Sequence, residues 1–171
     1  MLRLMILRLL HNGCNVVILP HTLKLLGSSG LDDESAVADL FGLLDEDARK
    51  RVVVYRPKTI AEDIEIMQSL DMLITSRMHA GIVALAYGKP ALFFMPKDDV
   101  KFLDILGMLD LDVDAFAVDA FDLKEHEKLF AKVEYILDNL SKMSSHIENQ
   151  VNSLLPTVKK PIEFAKKLIE L

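Results

Sequence analysis

Short apolar runs alternate along the chain with longer segments in which apolar residues recur at helical spacing. The short runs are rich in β-branched and aromatic residues and stop near proline or a polar cluster, which is typical of strands. They cover 15–19, 51–55, 71–75, 90–95 and, more weakly, 115–118. Because these runs are continuously apolar rather than alternating, they predict a mainly parallel sheet that is covered on both faces.

Helical patterns occupy the segments between the predicted strands, and several carry start or stop signals. The first pattern ends before Asn12-Gly13, and another begins after Thr59, with Glu62 at capping-box spacing. From about residue 122 the chain is predicted to be helical, with breaks near 141–146 and at Pro156 and Pro161. The earlier predicted helices cover 2–11, 32–46, 59–70, 79–88 and 98–109.

Alternation of strands and helices with short connections predicts an α/β fold. With right-handed crossovers this becomes a three-layer αβα Rossmann-like domain with a mainly parallel sheet of about five or six strands, followed by C-terminal helices. We expect a single domain over residues 1–171, in which the segment from about residue 141 forms a helical extension. Ligands of such sheets bind at the carboxyl ends of the strands.

Composition narrows the classes of function. The chain is 51% apolar with a net charge of −6, so a general nucleic-acid partner is not expected and any anion site must be local. Cys14 is the only cysteine, which excludes an internal disulfide and fits a reducing compartment. No run approaches the roughly 20 apolar residues that span a bilayer. We therefore expect a cytoplasmic protein without an integral membrane segment.

Polar residues of chemical interest follow three of the predicted strands. His21 follows the first strand, the sequence Ser76-Arg77-Met78-His79 follows the third, and Lys97 follows the fourth. Because the carboxyl ends of parallel strands share one edge of a sheet, these side chains are candidates for a common site.

Arg77 and His79 lie where a helix is predicted to begin, and this is an unfavourable place for cations. The helix dipole opposes a positive charge there by about 0.3–1 kcal/mol. The placement makes sense if an anion binds to the first-turn amides, since a guanidinium suits phosphate or carboxylate. Thr75 or Ser76 is expected to cap this helix. The alternative, a solvated Arg77 and a structurally satisfied His79, stays open from the residues alone.

Other common chemistries lack their sequence patterns. The chain has no glycine-rich phosphate loop, no CxxC or HExxH zinc pattern and no GxSxG nucleophile turn. A metal site is therefore not expected.

The stretch from Ile60 to about Gly107 resembles the polysaccharide pyruvyl transferase family. A strand that leads into an Arg-x-His pair, a helix of small residues and a Gly-x-Pro turn carry the resemblance. The earlier segment VVILPHTL, which contains His21, is also similar to a strand of that family. The lysine of the family pattern corresponds to Lys97 or Lys101. The other matching positions are Asp71, Ile74, Arg77, His79, Gly88, Pro90 and Gly107.

The resemblance implies the C-terminal half of a GT-B fold, so an N-terminal Rossmann-like half is expected in the parent protein. It implies a transferase that moves the pyruvyl group of phosphoenolpyruvate to sugar hydroxyls of a cell-surface polysaccharide, or its precursor, to form a ketal. No cofactor and no metal are implied. Arg77 and His79 are then the expected catalytic residues, and they also bind substrate. His21, Ser76 and Lys97 are the further expected substrate-binding residues.

Two other functions stay open at this stage. A GT-B glycosyltransferase would use the same helix start to bind the diphosphate of a nucleotide sugar. A non-catalytic Rossmann-like interaction module would bind no anion there. Titration with phosphoenolpyruvate and with nucleotide sugars separates these alternatives.

Overall fold

The computed structural model describes residues 2–20, 33–96, 98–119 and 122–169. His21 and Lys97 lie outside the described residues, so their predicted roles stay predictions. The chain divides into two compact units, residues 1–60 and 61–171. The expectation of a single domain over 1–171 likewise stays a prediction.

The first unit contains a two-stranded parallel sheet with helices packed on one face. The strands pair in register, Val16 with Val52 and Ile18 with Val54. Ile6 and Leu10 of the first helix pack with Val52 in the core of this unit. The elements are α1 (Leu2–His11), β1 (Val16–Ile18), α2 (Asp33–Leu43), α3 (Glu46–Arg51) and β2 (Val52–Val54).

Arginine side chains add long-range contacts to this unit. Arg51 Nη2 donates a hydrogen bond to the carbonyl oxygen of Leu10, at 2.7 Å, and so joins the end of α3 to the end of α1. Arg56 donates to both carboxylate oxygens of Glu34, at 2.6 and 2.7 Å. This hydrogen bonding raises the pKa of Arg56. The stabilisation that goes with this shift is present at neutral pH and is lost only in strong alkali, so Arg56 adds no pH dependence near neutrality.

The second unit contains a three-stranded parallel sheet in the order β3-β4-β5. Thr75 pairs with Phe93, and Phe93 pairs in turn with Ala117. α4 begins at Ile60, beside the boundary between the units. The elements are α4 (Ile60–Ser69), β3 (Leu73–Thr75), α5 (Met78–Ala86), β4 (Ala91–Met95), α6 (Val100–Met108), α7 (Val113–Phe116), β5 (Ala117–Asp119), α8 (Leu123–Asp138) and α9 (Leu140–Ile169).

Both faces of this sheet are covered. Side chains alternate along β4, so Ala91, Phe93 and Met95 share one face, where they pack with residues of α5, α6 and α9. On the other face Leu92 and Val118 are completely buried, and α8 packs against β5. The central strand is therefore apolar on both sides, as the continuous run 90–95 predicted.

The α/β class, the parallel pairing and the Rossmann-like arrangement of strands and helices are confirmed. The five strands of the described residues form two sheets, with two and three strands. Among the same residues, no helix has both the length and the apolar character to cross a membrane.

The predicted helix breaks after residue 140 are wrong. α8 ends at Asp138, and α9 then runs without interruption from Leu140 to Ile169. A proline inside a helix removes one backbone hydrogen bond, and near Pro156 the affected carbonyl is that of Asn152. Both residues are exposed, so water can satisfy that carbonyl and the helix continues.

Candidate functional site

The three strands of the second unit end at the same edge of its sheet. β3 ends at Thr75, β4 at Met95 and β5 at Asp119, and all three strands are parallel. The helices α5, α6 and α8 begin just beyond these ends. This carboxyl edge is where Rossmann-like sheets bind ligands.

The start of α5 differs from the expected cap. Arg77 occupies the N-cap position with an extended backbone, and its side chain makes no capping hydrogen bond. The Thr75 hydroxyl oxygen accepts a hydrogen bond from the Arg77 backbone N–H at 2.9 Å. The expectation that Thr75 or Ser76 caps the helix is wrong, because the N-cap is Arg77 and the Thr75 hydroxyl bonds in a short side-chain turn just before the helix.

The residues around this helix start remain accessible to solvent. Ser76, Arg77 and His79 are all exposed. The first backbone hydrogen bond of α5 runs from the Gly81 N–H to the Arg77 carbonyl, at 3.1 Å. The backbone N–H groups of the residues before Gly81 have no hydrogen-bond acceptor within α5, because the first N–H groups of any helix lack a partner in the helix itself. The exposed start of α5 thus carries a cationic residue, an imidazole residue and polarised backbone amides.

The other helices at this edge begin with a carboxylate. The Asp99 side chain accepts a hydrogen bond from the Lys101 N–H at 3.0 Å and caps α6. The Asp122 side chain accepts from the Lys124 N–H at 2.8 Å and caps α8. In both helices a negative side chain compensates the positive end of the dipole. α5 has no acidic residue in its first turn and carries Arg77 at the equivalent position.

Close packing fixes the first turn of α5 on the sheet. Gly81 lies so near the ring of Phe93 that a Cβ atom at this position would overlap Cε1 and Cζ. The Phe93 ring meets Phe102 edge to face, with 5.2 Å between ring centroids and 75° between planes. Phe102 belongs to the first turn of α6, so one aromatic pair supports the beginnings of both helices.

The far end of α5 shows why the sequence contains Gly-x-Pro. Gly88 has φ of 71°, a left-handed conformation that glycine adopts without strain. Its N–H donates to the Leu85 carbonyl and the Lys89 N–H donates to the Ala84 carbonyl, both at 2.9 Å. These two bonds form a Schellman motif, after which Pro90 leads into β4.

The structure brings together only part of the predicted site. Ser76, Arg77 and His79 all lie at the exposed start of α5, and their role in binding stays a prediction. Lys101 is exposed in the first turn of α6. Sequence reasoning missed Asp99 as the cap of α6, although aspartate is one of the residues preferred at the N-cap of a helix.

Metal-ligating side chains do not cluster at this edge. Across the part of the chain that the structure describes, no group of three or more His, Cys, Asp or Glu is placed to hold a metal ion.

Parallel strands joined by helices, with an exposed cationic helix start at their carboxyl edge, define an α/β protein with a candidate anion site. Residues 4–98 match the family model described as polysaccharide pyruvyl transferase, which covers more than half of the chain. The chain therefore belongs to the polysaccharide pyruvyl transferase family. No curated protein and no solved structure matches it.

Family membership identifies the chain as a transferase domain and implies a sugar or polysaccharide acceptor. The matched region begins earlier than the resemblance from Ile60 indicated, and it contains β1 to β4. Each predicted substrate-binding residue, namely His21, Ser76, Arg77, His79 and Lys97, lies within it.

Proposed function

We propose that this chain carries the donor site of a polysaccharide pyruvyl transferase and that the donor is phosphoenolpyruvate. The observation that carries the proposal is the start of α5, where an arginine replaces the acidic cap of α6 and α8. The family match supplies the reaction class. The reaction forms a pyruvate ketal on a sugar of a cell-surface polysaccharide, and we assign it to the cytoplasm.

Electrostatics makes the start of α5 a better site for a dianionic ligand than the start of α6. At α6 the Asp99 carboxylate already accepts a first-turn amide and would repel a second negative group. At α5 the amides and the Arg77 side chain present positive potential with no acidic residue in the first turn. Phosphoenolpyruvate carries a phosphate and a carboxylate close together, so two anionic groups can share the amides and the guanidinium.

The overall reaction joins carbon 2 of phosphoenolpyruvate to two sugar oxygens while the bond from carbon 2 to the phosphate oxygen breaks. The two sugar hydroxyls lose one proton each. The methylene carbon gains one proton and becomes a methyl group, and the released phosphate gains the other. In this proposal Arg77 binds phosphate or carboxylate, and Ser76 donates a hydroxyl hydrogen bond to it. His79 binds phosphate or serves as the acid, since imidazoles suit proton transfer near neutral pH.

Two parts of the proposal involve groups beyond this helix start. His21 and Lys97 complete the anion pocket, and a further Rossmann-like half of the parent protein helps to hold the acceptor in a GT-B arrangement. Neither part is needed for the first test, which concerns donor binding to the α5 helix start.

The test is calorimetric titration of the full chain with phosphoenolpyruvate, with a nucleotide sugar titrated in parallel. Wild-type chain should bind phosphoenolpyruvate, and Arg77→Ala should weaken binding by about 10- to 100-fold, since hydrogen bonds to charged groups contribute roughly 1.5–3 kcal/mol. Arg77→Lys should recover part of the affinity, because lysine keeps the charge but not the planar fork.

Arg3→Ala is the matched control, since Arg3 is an exposed arginine on α1. It should leave donor affinity unchanged. Wild-type affinity in Arg77→Ala would reject the donor assignment. Tighter binding of the nucleotide sugar than of phosphoenolpyruvate would favour the glycosyltransferase alternative instead.

A further inference from the structure

A concave site lies in the same unit, away from the start of α5. It is an open pocket of about 220 Å³ between the α6–α7 loop, the end of α8 and the first turns of α9. Buried Phe116 and partly buried Met143 form apolar parts of its lining, and Tyr135 adds an aromatic ring that is 52% exposed. Nothing in the proposed donor chemistry uses this pocket.

The polar side chains of the pocket have defined positions. Asp112 caps α7, with its Oδ1 accepting a hydrogen bond from the Asp114 N–H at 2.9 Å. Asn139 Nδ2 donates to the Tyr135 backbone carbonyl at 2.8 Å, which fixes the position of the side-chain amide. Such fixed polar groups around an apolar floor are the usual composition of a small-molecule site.

A hydrogen bond closes one wall of the pocket. Nε2 of His146, on α9, lies 3.2 Å from the carbonyl oxygen of Asp110 in the α6–α7 loop. Asp110 has φ of 52°, the only left-handed residue other than glycine in the described part of the chain. The bond joins α9 to a sharply turned loop, so the loop and the helix form a continuous wall.

The charge of the lining disfavours anions. Asp110 and Asp112 contribute two carboxylates and Lys142 contributes one ammonium group, so phosphate and other anions are repelled. A neutral ligand matches this lining when it carries hydroxyl groups for the carboxylates and the amide and presents an apolar face to Tyr135. Sites for drug-sized molecules measure about 300–1,000 Å³, so this smaller pocket suits a ligand of about one ring. A single pyranose ring has all these properties.

The position of the pocket separates it from the donor site. Phe116 directly precedes β5, so the pocket lies at the amino edge of the sheet, whereas Arg77 lies beyond the carboxyl end of β3. β4 alone is five residues long, so the two edges are on the order of 15 Å apart along the strands. A sugar in this pocket cannot be the sugar that receives the pyruvyl group at α5.

We infer that the pocket binds one neutral sugar residue of the acceptor at a distance from the reacting sugar. The inference rests on the proposed function for the nature of the acceptor, and it adds a second contact with the polymer. Tethering the acceptor in this way raises its effective concentration at the transfer site without any new contact there.

The test uses NMR of the ¹⁵N-labelled full chain titrated with glucose, galactose, mannose and N-acetylglucosamine as probes. At least one sugar should shift the amide signals of Tyr135, Asn139 and Lys142, with millimolar affinity. Tyr135→Ala should weaken that binding about tenfold, because the ring supplies the stacking surface. Tyr87→Ala is the control, since Tyr87 is also exposed but lies outside the pocket.

The second variant is Asp112→Asn, which keeps the helix cap but removes the carboxylate. It should weaken sugar binding, whereas an anion-binding pocket would gain affinity for inorganic phosphate. The inference is overturned if no sugar shifts these signals, if Tyr135→Ala binds like the wild type, or if phosphate shifts them more strongly than sugars do.

Phosphoenolpyruvate added to the same sample reports the donor site through the amide signals of Ser76 to Ala80. If phosphoenolpyruvate binds but no sugar does, only the proposed sugar site in the pocket is rejected. If a sugar binds but phosphoenolpyruvate does not, only the proposed donor site is rejected.

Discussion

Gly81 of α5 lies against the ring of Phe93 in β4, with no room for a side chain between them. Phe93 is completely buried, and its ring also meets that of Phe102 edge to face. The ring therefore cannot move into free space when the helix approaches. This contact determines the distance between the edge of the sheet and the exposed residues at the start of α5.

Gly81→Ala should destabilise the protein because a methyl group would overlap the Phe93 ring. Overpacking of a dense core typically costs about 1–3 kcal/mol in the free energy of unfolding. Urea denaturation measures this change. Phosphoenolpyruvate affinity should also fall, since the first turn of α5 must shift.

Gly107→Ala is the matched control, because Gly107 lies on α6 and a methyl group there would point into open space, with no neighbouring side chain within 4 Å. It should stabilise the protein by about 0.5–1 kcal/mol through the higher helix propensity of alanine. Equal stabilities of the two variants would show that the Gly81–Phe93 contact is not tight.

Gly88→Ala tests the left-handed end of the same helix. The left-handed conformation costs a residue with a Cβ about 1–2 kcal/mol, and here the Cβ would also meet the side chain of Glu148. Gly13→Ala isolates the conformational cost, since Gly13 has φ of 82° but open space around it. We expect Gly88→Ala to be the more destabilising variant in urea denaturation.

The double variant Gly88→Ala/Glu148→Ala separates the two contributions at this position. Removing the Glu148 side chain should bring the cost of Gly88→Ala down to that of Gly13→Ala. A smaller cost for Gly88→Ala than for Gly13→Ala would contradict the prediction.

Most of the fold follows from the sequence, because the strand runs and their boundaries are strong local signals. The run 90–95 predicted β4 to within one residue, and Asn12-Gly13 correctly marked the end of α1. Two short helices were missed for different reasons. α3 is almost entirely charged and has no apolar periodicity, while α7 occupies residues whose composition also suits a strand.

The candidate site was predictable in location but not in detail. Arg77 and His79 lie at a helix start, as their position between strand and helix indicated. The exact cap could not be predicted, because a Thr or Ser hydroxyl before a helix can bond to any of several nearby amides. The division of the strands between two sheets depends on tertiary contacts, which local patterns do not encode.

Two lysines, Lys97 and Lys101, are candidates for the lysine of the family pattern. The family match ends at residue 98, so it includes Lys97 and leaves out Lys101. The backbone N–H of Lys101 is bound by the Asp99 carboxylate, and its side chain is exposed in the first turn of α6. A carboxylate beside Lys101 makes this helix start less favourable for an anion than the start of α5.

Lys97→Ala should therefore weaken phosphoenolpyruvate binding by about tenfold, the effect of losing one contact with a charged group. Lys101→Ala should bind the donor like the wild type and serves as the matched control, only four positions away and of the same residue type. Calorimetric titration of both variants measures the difference. If Lys101→Ala loses affinity and Lys97→Ala does not, the lysine of the donor site is Lys101, and the anion lies closer to α6 than we propose.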